Sequence, residues 1–210
     1  MLGRALFPLL LLALCNVERA AADVLDRVLA VVDGHLITLS DVRTAVELRL
    51  VTSDISASDP TDAVLSQLID RRLVLEEVDR YAPPEPDAAA VASRVAAVER
   101  RSGPPNGIAA RLESLGVDAE WLQQWMRDDL RIQSYIEQRF AGAMEATEEE
   151  VENYFREHAD AFMRGGQPIP AAEAQQLARA RIAAARRRAL TDEWLNGLRR
   201  RAEITRPAAR

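Results

Sequence analysis

The chain has 210 residues, a formal net charge of −6 and 29% charged residues, and its basic side chains are all arginine. A hydrophobic content of 48% is that of an ordinary globular protein and excludes a disordered or fibrous chain. One cysteine excludes an internal disulfide framework, and nucleic acid, which the basic C-terminal arginines could suit, is not expected as a partner of a chain marked for export.

The N-terminus is a secretory signal peptide in its pattern. Met1–Arg4 are short and basic, Ala5–Cys15 form an uncharged apolar run, and a polar stretch ends in Ala20-Ala21-Ala22. The apolar run is well short of the ~20 residues that span a bilayer. Residues 1–22 are therefore expected to be removed by a cut between Ala22 and Asp23, leaving an exported, periplasmic chain with no stable membrane insertion. Cys15 closes the apolar run and is a rival site for lipid attachment, but Leu14 stands where such processing favours a small residue. The expected cut removes this cysteine and with it any thiolate chemistry.

The mature part opens with Arg27–Leu39, two β-branched apolar runs on either side of Asp33-Gly34. That dipeptide tolerates positive φ at both central positions and predicts a β-hairpin with a type I′ turn. Thr38-x-x-Asp41 is a helix start, followed by Val42, Ala45, Val46 and Leu50 at helical spacing. Asp59-Pro60 opens a second helix with a broad apolar face from Val64 to Val78, which Pro83-Pro84-Glu85-Pro86 stops. Asp87 caps an alanine-rich helix, and a short helix around Leu112 ends at Gly116. Asp118 opens a helix through Leu122, Trp125, Met126 and Phe140. Thr147-Glu148-Glu149-Glu150 is a capping box, and the helix behind it is expected to run through His158 to Phe162. Arg164–Pro170 (RGGQPIP) reads as a linker, and a final helix spans Ala171 to about Arg201. Ile204-Thr205 can add one strand to the hairpin. The predicted fold is mostly α, a helical core with a small antiparallel sheet made by the two ends of the chain. Its parts are residues 23–163, a helical domain, and residues 171–205, a long helix and strand packing back on it.

Charge is unevenly spread along the chain. Residues 171–210 carry ten arginines against Glu173, Asp192, Glu193 and Glu203, so the acidic excess lies in the body. Opposite charge favours docking of the tail on the body.

The residues offer little for catalysis. His35 follows the hairpin turn and is expected in solvent, while His158 falls on the Val151/Phe155/Phe162 face as a half-buried core residue. No metal-ligand spacing, nucleophile elbow or glycine-rich phosphate loop is present. The chain is read as a non-enzyme without metal or cofactor.

Four stretches in order resemble SurA-type periplasmic chaperones. Arg27–Val42 (RVLAVVDGHLITLSDV) is similar to their opening hairpin and first helix. Leu65–Tyr81 resembles the second helix, with its Leu-Ile-Asp-x-x-Leu-x-x-x-Glu pattern at Leu68, Ile69, Asp70, Leu73 and Glu77. Ala146–Phe162 is similar to the helix leading into the family's parvulin-type prolyl isomerase domain, and Trp194–Ile204 resembles the returning terminal helix and strand. Only the RGGQPIP break stands where an isomerase domain would be inserted, so the resemblance implies the family's other activity without isomerisation. That activity is ATP-independent holding of unfolded exported polypeptides, typically outer-membrane proteins. Trp121, Trp125, Met126, Tyr135 and Met144 are the candidate client-binding residues, because methionine and aromatic side chains adapt to varied partners. The competing reading is an envelope adaptor that docks one fixed partner. A second copy, exchanged through the long last helix, is a further candidate partner.

Overall fold

The computed structural model describes residues 26–51, 59–102, 107–143 and 145–207. The signal peptide with its Ala22–Asp23 cut and the candidate residue Met144 lie outside the described residues.

Strands β1 (Val28–Val32) and β2 (His35–Thr38) form the hairpin at Asp33-Gly34. Both turn residues have positive φ, 45° and 83°, as a type I′ turn requires. Strand β5 (Ile204–Thr205) comes from the far end of the chain and pairs antiparallel with the other edge of β1, Val31 opposite Thr205 and Val32 opposite Ile204. The sheet order is β2-β1-β5.

Helix α1 (Leu39–Glu47) leaves β2 directly. Its capping box closes as the spacing predicted: the Thr38 N–H donates to Asp41 at 2.8 Å and the Asp41 N–H donates to Thr38 Oγ1 at 3.3 Å. Helix α2 (Pro60–Tyr81) is capped by Asp59, which accepts from the Thr61 and Asp62 N–H groups, and ends at Ala82 in the left-handed region. Its buried positions are Val64, Leu65, Leu68, Ile69, Leu73, Val74 and Val78. This face is the centre of the main core, with Ala30, Val32 and Ile37 of the hairpin, Val42 and Ala45 of α1, Tyr135, and Leu198 from the chain end.

Helices α3 (Ala88–Ser102), α4 (Gly107–Ser114) and α5 (Ala119–Phe140) build a second core around Val91, Val98, Leu112, Leu122 and Met126, with Leu48 inserted from the end of α1. A third cluster joins α6 (Glu148–Glu157) to the first half of α7 (Ala171–Arg201) through Val151, Phe162, Ala174 and Ala178.

Three local expectations are corrected here. Helix α6 stops at Glu157, and Phe162 reaches the core from a separate 3-10 turn, Ala159–Phe162. His158 caps the end of α6, is exposed, and stacks on Tyr154 with ring centroids 4.1 Å apart, so it is not a core residue. Gly165-Gly166 is not a plain linker: with φ of 61° and 80° it forms the turn between β3 (Met163–Arg164) and β4 (Gln167–Pro168). The same steric rule that identifies Asp33-Gly34 applies there. The strands are too short to show alternation.

The tail's arginines meet carboxylates of the body along its length. Arg199 holds Asp70 with two hydrogen bonds of 2.6 and 2.5 Å, Arg206 pairs with Asp62, and Arg179 and Arg186 pair with Glu148 and Glu150. Among the described residues no helix is long and apolar enough to cross a membrane.

Leu198, 6% exposed, is the α7 residue buried in the main core, with Trp194 and Leu195 packed beside it. Truncation to Leu198→Ala is expected to cost about 2–5 kcal/mol in urea unfolding. A chain lacking residues 171–210 should lose helix content and aggregate. Unchanged melting of the truncated chain would show α7 and β5 to be an independent arm.

Candidate functional site: two grooves flanking Trp125

The first turns of α5 are fixed by Asp118, whose carboxylate accepts the Trp121 N–H at 2.7 Å. Trp121 and Trp125 then lie one turn apart on the same face, ring centroids 5.2 Å apart. Arg71 of α2 faces them. Its guanidinium sits 3.9 Å above the Trp125 ring centroid, donates to the Trp125 carbonyl at 3.0 Å and forms an ion pair with Asp129. One arginine thus binds the ring, backbone and next-turn carboxylate of α5 together, using both its planar face and its donor fork.

Trp125 divides two grooves. One, about 470 Å³, lies between α2, α5 and α7 and the stretch after α1; its apolar lining includes Leu50, Val51, Val74, Ile132 and Leu195. The other, about 180 Å³, lies between β2, α2 and α5, with Leu36, Leu68, Leu75 and Trp121 among its lining. Leu36 is 61% exposed, an unusual position for a large aliphatic side chain. The Trp125 indole N–H is enclosed and has no acceptor among the described residues. The charges of both grooves are largely matched internally: Arg71 by Asp129, Arg72 by Glu76, and Asp70 by Arg199.

Burial pushes the Asp129 carboxyl above its usual value of 3.8, with the Arg71 guanidinium pulling the other way. Glu76 is also raised, first by burial and then by neighbouring Asp33, against the pull of Arg72. His35 is exposed at the hairpin; Arg72 Nη2 lies 2.7 Å from its Nε2, and its Nδ1 lies 3.6 Å from Glu76.

Of the candidate residues, the structure brings Trp121 and Trp125 together as half-buried groove walls. Met126 and Tyr135 are turned inward instead. Met126 is packed with Leu48 and Leu122 in the second core. Tyr135 belongs to the main core, with Tyr81 and Trp194 rings 5.6 and 5.7 Å away and its hydroxyl accepting from Arg139. Heptad-like spacing on α5 does not distinguish the face turned to α3 from the face turned to α2. Leu36, Arg71 and Asp129 were not singled out from the sequence. The only local signal was two apolar neighbours, Leu36-Ile37, on a strand where just one can face the core. Among the described residues no group of three or more His, Cys, Asp or Glu could hold a metal ion. The surface offers apolar contact on a rigid frame.

No family model matches the chain, and no curated protein matches it. Among solved structures, it is similar to a chain from the work describing two structurally related SurA-like chaperones of Campylobacter jejuni, the virulence factor PEB4 and the periplasmic protein Cj1289. The two superpose with a TM-score of 0.54 at 11% sequence identity, covering 88% of this chain and 100% of that one. The chain therefore has a SurA-like fold.

Two measurements probe the Arg71 frame. Arg71→Ala is expected to cost about 1–3 kcal/mol, since the Trp125 carbonyl and Asp129 lose their donor. Above pH 3.8 and up to the raised value, folded Asp129 retains a proton that the unfolded chain has released. Its contribution therefore makes stability fall as pH rises through that interval, and Asp129→Asn should remove this part of the slope in urea titrations. An identical slope in the variant would place the pH dependence elsewhere.

Proposed function

We propose that this chain is an exported, ATP-independent chaperone that holds unfolded polypeptides in the periplasm, outer-membrane proteins among them, and does not isomerise prolyl bonds. The observation that carries this reading is the pair of grooves at Trp125. They present apolar surface whose charged side chains are mostly paired with one another, beside an arginine stacked on Trp125. Such a surface suits partners defined by exposed apolar side chains and not by one sequence. The SurA-like fold supports the same class of activity, and the N-terminal pattern of residues 1–22 supports export.

The absence of isomerase activity is supported by the connection between α6 and α7. Residues 158–170 are filled by one 3-10 turn and the β3-β4 hairpin, whereas a globular domain takes at least about 50 residues. His158 is committed to a stacked contact with Tyr154 at the end of α6.

The test is dilution of a chemically unfolded outer-membrane protein, and of an unrelated unfolded client, into buffer with and without the mature chain. Light scattering should fall for both clients at near-equimolar chain. Leu36→Ser, at the exposed rim of the smaller groove, should weaken suppression severalfold with little change in melting. Suppression of neither client would remove the holdase reading and leave a fixed-partner adaptor. The mature protein purified from its host should begin at Asp23 by mass spectrometry; an N-terminus at Cys15 carrying lipid would replace the soluble periplasmic placement with a membrane-anchored one.

A further inference from the structure

Strand β2 is the longer of the sheet's two edge strands, and the alternation of its hydrogen bonds determines which of its groups are available. The pair flanking the two-residue turn, Val32 and His35, is the hydrogen-bonded kind, so the next pair, Val31 and Leu36, is not. The far side of the hairpin agrees. The Asp33 N–H donates to the Glu203 carbonyl at 3.0 Å, which puts the backbone groups of Asp33, and with them those of Val31 two residues earlier, on the β5 side. The backbone N–H and C=O of Leu36, opposite Val31, therefore point outward from the sheet. The Thr38 N–H points the same way but is already taken by Asp41. Among the described residues no strand pairs with this edge.

The groove beside this edge continues the same geometry. It is lined by Leu36 and Ile37 of β2, Leu68 and Leu75 of α2, and Trp121 and Trp125 of α5, and holds about 180 Å³, room for one large side chain. Its arginines are already held by carboxylates, Arg71 by Asp129 and Arg72 by Glu76. A charged segment would gain no counter-charge there, so electrostatic complementarity selects an uncharged one.

We propose that β2 receives an extended segment of an unfolded polypeptide as a fourth strand, antiparallel to it and paired through the outward N–H and C=O of Leu36. This deepens the holdase reading above and rests on it. The bound segment is uncharged and alternates small polar with apolar residues. The residue paired with Leu36 lies on the outer face of the sheet, and its two neighbours point toward α2, one of them filling the pocket against Leu68, Leu75 and Trp125. Main-chain hydrogen bonds supply affinity that is indifferent to sequence, and the pocket demands only an apolar side chain. The Asp41 cap ends the edge after Leu36, which keeps the strand short and the binding reversible.

The probe is a fluorescein-labelled peptide of about ten residues alternating valine or phenylalanine with threonine, long enough for one strand, titrated with the full mature chain by anisotropy. In a strand, side-chain face and backbone direction alternate together, so the threonine amides face β2 and the apolar amides face away. N-methylation of the threonine amides should weaken binding at least tenfold, while N-methylation of the apolar amides should change it less than threefold. Leu36→Pro, which removes the outward N–H and no bond to β1, should weaken the unmodified peptide severalfold. Equal affinity of the two methylated peptides, or failure of the unmodified peptide to bind, would overturn the proposal. Aggregation suppression run in parallel separates the two readings: suppression without dependence on the amides discards strand addition alone, and loss of suppression discards the holdase reading with it.

Discussion

The N-terminal hairpin cannot stand by itself, and the rest of the molecule follows from how it is completed. Two strands in water are marginal; here β1 gains β5 on its free edge from residues some 170 positions away, and the turn residue Asp33 fastens the join. The Asp33 N–H donates to the Glu203 carbonyl at 3.0 Å, and the Asp33 carboxylate accepts the Glu203 N–H at 2.8 Å. Leu198 supplies apolar mass beneath, and the bidentate Arg199–Asp70 pair ties the same end of α7 to α2. Closing a loop of this length is entropically costly, but the cost grows only slowly with length. Several short-range bonds and one buried leucine are the kind of interactions that offset it.

That closure decides what remains open. With β5 on one side of β1, the sheet's edges are the two-residue β5 and the longer β2, and the exposed Leu36 of β2 borders the groove walled by Trp121 and Trp125. Helix α2 serves both ends of this arrangement: its apolar face binds the hairpin and α7, while Arg71 clamps α5 through Trp125 and Asp129. The apolar grooves are thus by-products of a helix whose two sides do different work. At the wall the two grooves share, the Arg71 guanidinium stacks on Trp125 and pairs with Asp129.

Much of this was readable locally and some of it was not. Asp33-Gly34, the Thr38 and Thr147 capping boxes, Asp59-Pro60, and the stop before Pro83 are chemistry within four residues, and each governs the backbone where the sequence placed it. Gly165-Gly166 carries the same kind of signal, but its two-residue strands leave no alternation beside it to reveal a hairpin. His158 follows the apolar period of α6 and was misplaced because the helix ends one residue before it. The site was hardest. Tyr135 and Met126 share the aromatic and sulfur chemistry of a client surface with Trp121 and Trp125, and only the packing of α3 and α7 against α5 separates them. Arg71 and Asp129 are 58 positions apart, so no spacing rule could pair them.

The central claim, that unfolded chains engage the Trp125 surface, is tested most directly by hydrogen exchange with and without a bound unfolded client. Slowed exchange should appear together in His35–Thr38, in the Leu68–Leu75 turns of α2 and in the first turns of α5. Protection confined to α6 and the first half of α7, or to no segment at all while the client remains bound, would contradict it.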